Sequence, residues 1–227
     1  MQTKSIKRLL TVTLAAALLV GSTLTAAATS RNGISRNGRE DYSGGSSSSS
    51  ASVEARVPEY WESLERQSAN APVMIAGRSV TTTIAGSIIV NRMQGVAVVT
   101  PLDQVKASLG LADGQTPFVT VLDTDYKKSN LAMDCVNAAV ASLGGQFVSA
   151  INVNLTAREN GKIVELTSGS AGMMVGLPKN ADKSKTYCVV CVQPGGIITI
   201  MNDQDDIPET VTFEIKAGLG TYAFVAK

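Results

Sequence analysis

From residue 72 onward the chain is a succession of short apolar and β-branched stretches cut by turn residues. Residues 79–84, 87–90 and 95–100 are rich in Val, Ile and Thr and read as strands, with Gly86 as the break between the first two. In 147–155 apolar and polar positions alternate, Asn160-Gly161 supplies a type I′ turn, and 162–166 returns, which predicts a hairpin. A second hairpin joins 186–192 to 197–201 through Pro194, Gly195 and Gly196, and strands at 210–215 and 221–225 lie either side of Gly218 and Gly220. Strands this short, at this spacing, point to a sandwich or barrel.

Two segments follow a helical period instead. Residues 130–143 have Ser129 in place as N-cap and Gly144-Gly145 as the stop. On that helix Leu131, Cys135, Ala138 or Ala139, and Ser142 or Leu143 fall on related faces, which predicts packing on a sheet through that stripe. A shorter helix is expected at 102–109, and Pro58 is placed to open another through residue 66, with Glu59 and Glu62 near its positive end. The expected fold is mainly β, sandwich-like in the C-terminal half, with one or two helices in the first half, and α+β overall. Residues 56–227 suffice for one domain, either a single unit or two lobes at 56–145 and 146–227.

The start of the chain has another character. Lys4, Lys7 and Arg8 precede an apolar run from residue 9 to 20, and Ala26, Ala27 and Ala28 supply an Ala-x-Ala cleavage site, the order of a secretory signal peptide over 1–28. The apolar run falls short of the roughly 20 residues a spanning helix needs, and no later segment reaches that length, so no transmembrane segment is expected after cleavage. Residues 29–55 repeat Ser-Arg-Asn-Gly and then run through Gly44, Gly45 and five serines, 46–50, a composition that predicts a flexible spacer. The finish at Lys227 carries no apolar tail, so release or non-covalent retention at the surface is expected over covalent anchoring.

Charge narrows the partners. Three of the 20 Lys and Arg, and none of the 19 Asp and Glu, lie in 1–28, so the cleaved chain stands at net −2. Nucleic acid is not an expected partner, because its binding draws on phosphate neutralisation by a basic surface. Histidine is absent, which removes Ser-His-Asp and Cys-His nucleophile systems and the usual zinc sets. Asp123 and Asp125, just past the apolar run 118–122, are the catalytic candidates, as a carboxylate pair of the kind that cleaves glycosides. Ending a strand and starting a turn explains the same two residues.

Asp203, Asp205 and Asp206 form the densest carboxylate group and are the candidate calcium ligands, although the EF-hand glycine and closing glutamate are missing; a solvated acidic connection is the alternative. Trp61, the single tryptophan, is the candidate sugar-stacking residue, against a docking role on the domain. Cys188 and Cys191 lie three apart within one strand and so point to opposite faces, which disfavours a disulfide between them. Buried free thiols are the expectation for Cys135, Cys188 and Cys191.

The C-terminal segment carries a further signal: Leu177-Pro178, Tyr187 in its strand, Gly195-Gly196, the Asp203, Asp205, Asp206 loop, Thr210 to Phe213, and Gly220, Thr221, Tyr222, Ala223. This order resembles a β-rich module found near the ends of secreted and cell-surface proteins of Firmicutes. The resemblance covers roughly the last fifty residues and implies an exported interaction or spacer role without a catalytic set of its own. Members often place a histidine in the turn that here reads Gln193, Pro194, Gly195, Gly196. The expected function is a non-catalytic binding or surface-associated module, with bacterial wall polymer, host glycan or a surface protein as its partner. An extracellular carbohydrate-active hydrolase and a self-associating surface protein, pairing through an exposed edge such as 221–226, are the alternatives.

Overall fold

A computed structural model describes residues 66–227. The expected signal peptide, the serine-rich spacer and Trp61 lie outside the described residues. The elements run β1 (Arg66–Gln67), β2 (Pro72–Ile75), β3 (Arg78–Thr81), β4 (Ala85–Ile89), β5 (Val96–Val98), α1 (Leu102–Leu109), β6 (Thr116–Asp123), α2 (Asn130–Leu143) and β7 (Gln146–Glu159). They continue with β8 (Lys162–Val164), β9 (Ser170–Gly176), β10 (Tyr187–Gln193), β11 (Ile197–Asn202), β12 (Thr210–Lys216) and β13 (Gly218–Ala226). The architecture is mainly β with two helices among the described residues, as the pattern predicts.

Eight strands form the large sheet, in the order β1-β4-β6-β7-β13-β10-β11 with β8 added beside β7, while β12-β9-β5 form a second sheet and β2-β3 a ribbon. One core cluster joins the two sheets through Val121, Ile151, Val153, Met173, Phe213, Tyr222 and Phe224. A separate cluster lies on the opposite face of the large sheet, under Met133, Val136, Ala139 and Val140 of α2. The large sheet is therefore a middle layer with apolar packing on both faces. That is why β10 reads as Tyr-Cys-Val-Val-Cys-Val rather than alternating, as expected of a strand buried on both sides. Strands from either side of residue 145 share both sheets, since β6 pairs with β7 and β5 with β9, so that position is no boundary between lobes.

Both hairpins form where the turn residues place them. Asn160 and Gly161 both take positive φ, the geometry of a type I′ turn, between β7 and β8. Several expectations need correction. The 79–84 strand stops at Thr81, because Thr82 turns its hydroxyl to the Ile84 carbonyl and accepts the Val98 N–H. Gly86 is inside β4 rather than between strands: a Cβ there would lie 2.7 Å from the Val119 carbonyl oxygen, so glycine permits the parallel approach of β4 to β6. Arg66 belongs to β1 and not to a helix. The buried stripe of α2 is Met133, Val136, Ala139 and Val140, one step round from the expected one, and Leu131 is 77% exposed. Ser129 occupies the N-cap position without capping the helix; its hydroxyl oxygen accepts from Thr124 and Asn152 instead. No helix among the described residues is long and apolar enough to cross a membrane.

The chain crosses from the small sheet to the large one between β12 and β13, and one side chain fixes that crossing. Tyr222 is fully buried, and its hydroxyl oxygen accepts the backbone N–H of Lys216 at 2.8 Å, tying the end of β12 to β13. Its ring lies 5.4 Å from Phe213, which meets Phe224 edge-on at 5.7 Å. Gly220 leaves room for that ring: an added Cβ would come within 2.8 Å of it. Burial, and then the adjacent Cys191 thiol, push the phenol well above its usual range. Cys191 itself is pushed up to about 11, chiefly by burial, and Cys188 is likewise raised. The two thiols face opposite cores, and all three cysteines are free.

Two outcomes follow from this packing. Tyr222→Phe keeps the ring but leaves the Lys216 N–H without its acceptor, so urea unfolding should show a loss of about 1–3 kcal/mol with an unchanged m-value. Titration of the native protein with a thiol reagent should find only the half-buried Cys135, with Cys188 and Cys191 reacting once the protein is unfolded.

Candidate functional site

On the α2 face of the large sheet, the helix covers only part of the strands. Its last turn ends at Gly144, in left-handed conformation, and Gly145 packs tightly on Val225 and Ala226. Its first turn stands over Asn152, whose amide donates to the Ser129 hydroxyl at 3.0 Å and whose carbonyl accepts from Thr221 at 2.7 Å. Beyond that turn the same sheet face continues without a helix above it among the described residues. Register places Arg66 opposite Ser87, Ser87 opposite Thr120, Thr120 opposite Asn154, and Asn154 opposite Leu219. Directly opposed residues share a face, so these five form one row across five strands. At about 4.8 Å per strand the row extends roughly 19 Å.

This row is unlike the rest of the sheet. Its members between Arg66 and Leu219 are uncharged hydroxyl and amide side chains, and Asn154 keeps a buried Oδ1 with no hydrogen-bond partner among the described residues. Gln67 Oε1 and the Arg158 Nε–H are in the same condition. Arg158 lies flat on Phe118, its guanidinium carbon 3.5 Å from the ring centroid, a stacked cation-π contact. Burial, and then the charge of Arg66, lower the Arg158 pKa. At the α2 end the row opens into a cleft of about 440 Å³ between Ser129 and Leu131 of the helix start, the Gln193–Gly196 turn, and Leu219 and Thr221 of β13. The cleft has a hydrogen-bonded floor, Asn152 with Thr221 and Ser129, and apolar walls in Leu131 and Leu219.

The candidates read from sequence lie elsewhere. Asp123 ends β6 and accepts the Asn91 N–H at 2.7 Å, while its other carboxylate oxygen is buried without a partner among the described residues. Asp125 accepts the N–H groups of Lys127 and Lys128 and pairs with Arg92 at 3.4 Å. Desolvation, the largest single influence, pulls the Asp125 carboxyl upward, but those N–H groups and the charges of Lys128 and Arg92 together outweigh it and hold it below the usual carboxylate range. Both side chains thus brace the 91–92 and 125–128 turns. Neither lines the 440 Å³ cleft.

The aspartate loop is likewise turned inward. Asp203 accepts the N–H groups of Asp205 at 3.1 Å and Thr212 at 2.9 Å. Asp205 accepts the Ile207 N–H and the hydroxyls of Thr210 and Thr212, the latter at 2.5 Å. Their carboxylates join the end of β11 to the start of β12. Asp206 makes no side-chain hydrogen bond among the described residues. Burial holds the Asp203 carboxyl above its usual range, against the pull of the Thr212, Asp205 and Gln204 N–H groups and with the Asp205 charge adding to the rise.

The amide and hydroxyl row was hidden from sequence reasoning. Alternation in 147–155 marks Asn152 and Asn154 as one polar face of a strand. What stands beside them, and that α2 stops short of them, depends on pairing between strands far apart in the chain. Comparison with protein-family models, characterised proteins and solved structures finds no match to this chain.

The loop geometry gives a signed prediction. A carboxyl whose folded pKa is raised favours the folded state in its protonated form, so its contribution is full below the ordinary value near 3.8 and falls as pH rises through the folded value. Asp203→Asn keeps an oxygen for the two N–H groups and removes the charge. Thermal melts should therefore show the variant gaining on the parent as pH rises from 3 to 6. Asp203→Ala, which strands both N–H groups, should lose about 1–3 kcal/mol throughout.

Proposed function

We propose that the protein is an exported, non-catalytic binding module of a Gram-positive bacterial surface, and that it holds a hydroxyl-rich glycan where the polar row of the large sheet runs into the cleft beside Leu219. One observation carries this reading: Thr120 and Asn154, half-buried and opposed on β6 and β7, lead to Asn152 and the 440 Å³ cleft with side chains that both donate and accept hydrogen bonds. Groups of that kind match alternating sugar hydroxyls without selecting for charge. The Leu131 and Leu219 walls, 77% and 52% exposed, offer apolar surface to the C–H faces of sugar rings. The secretory pattern of residues 1–28 and the near-neutral charge of the remaining chain support export to where such polymers are met.

The test uses the full chain from a secreting host, incubated with isolated bacterial wall and, separately, with mucin-type glycans, with calcium or with chelator. Soluble sugar release is scored in the same tubes. Retention on one of the two without sugar release, weakened about tenfold by Asn154→Ala, is the expected result. Release of sugar would replace the binding reading with a hydrolase. Equal retention of parent and Asn154→Ala would remove the row as the site.

A further inference from the structure

The expectation that residues 221–226 form an exposed edge is overturned by the sheet order, since β13 lies between β7 and β10 and is paired along both sides. The edge beyond β10 is β11, paired with β10 over six residues on one side only. No N–H or C=O of Ile197–Asn202 on the other side is bonded to another group of the described residues. Exposed edges are commonly blunted by Lys, Pro, an inward charge or a bulge. β11 has none of these: it reads Ile-Ile-Thr-Ile-Met-Asn, pairs with β10 in unbroken register, and leaves Ile197 60% exposed.

We propose that β11 joins β11 of a second copy, antiparallel and about a two-fold axis through Thr199, so that the large sheet runs on through both molecules. The occupant follows from the strand itself. A two-fold interface requires a surface complementary to itself, and β11 is nearly palindromic about Thr199: Ile198 meets Ile200, Ile197 meets Met201, and Thr199 meets its own counterpart. Pairs of equal parity keep each face of the sheet continuous. Ile198 and Ile200 already pack against the α2 cluster, and Met201 against the inter-sheet core. The pairing thus extends each apolar layer into its equivalent, and a peptide of arbitrary sequence would not match both. This interface is independent of the proposed glycan row and stands or falls separately from it.

Sedimentation equilibrium of the full chain from a secreting host, over a hundredfold range of concentration, tests the proposal. A reversible monomer–dimer equilibrium is expected, and only monomer at every concentration would overturn it. Thr199→Lys sets two like charges opposite each other on the axis and should raise the dimer dissociation constant by about tenfold or more, with circular dichroism and the thermal midpoint near those of the parent. A dimer unaffected by this change would place the contact elsewhere and overturn the proposal. Register is read in a Cys135→Ser background. Thr199→Cys should oxidise to a covalent dimer, because directly opposed residues stand about 4.5–5.5 Å apart, within disulfide range. Ile197→Cys alone should not cross-link, since its opposite is Met201; the reverse pattern of cross-links would rule out the two-fold axis at Thr199.

Discussion

The structure hangs on the point where the chain leaves one sheet for the other, and the hydrogen bond from the Lys216 N–H to the Tyr222 hydroxyl is what closes that point. β12 is the outer strand of the small sheet and β13 sits in the middle of the large one, with a single residue, Ala217, between them. A crossing this short forces two sheets to stand face to face. Phe213 before it and Tyr222 and Phe224 after it then fall into the same core. The hydroxyl satisfies a backbone donor that the change of sheet would otherwise strand in an apolar interior, where an unpaired polar group is costly. Gly220 is part of the same device, because the ring rests where its side chain would be.

With the small sheet fixed on one face, the opposite face of the large sheet has to be covered by something else, and α2 covers only part of it. Where the helix lies, the strands are apolar: Ala150, Cys188, Val190, Ala223, Val225. Where it stops, β7 and β13 turn to Asn152, Asn154 and Thr221, with Thr120 beside them on β6. Composition along each strand therefore records the boundary of the helix above it. The proposed glycan site is the part of this middle layer that α2 leaves without cover, backed by the core beneath it, which suits a site that binds through several modest hydrogen bonds at fixed spacing.

The carboxylates that drew attention in the sequence have mostly local duties. Asp125 and Asp205 close their own turns by accepting backbone N–H groups two or three residues on, and Asp203 reaches across to Thr212. The residues on which the expected resemblance to Firmicutes surface modules rests are of a similar kind: Phe213 and Tyr222 are core, Gly195 and Gly196 form the β10–β11 turn, and Asp203 and Asp205 bind their own loop. Such residues specify how a chain folds. They do not choose its ligand.

The amino-acid sequence by itself determined the local elements: the two hairpins, both helices, their glycine stops, the opposed faces of Cys188 and Cys191, and the mainly β class. Each depends on periodicity or turn chemistry within a few residues, which the chain carries wherever it is folded. Only the tertiary structure decided that Gly86 belongs inside a strand, that 221–226 is central and β11 the edge, that α2 turns Met133 and Val136 inward and Leu131 out, and that five strands align one polar row. Those outcomes depend on which strands pair and how close they come, and pairing partners as distant as Thr120 and Asn154 leave no mark in either strand alone.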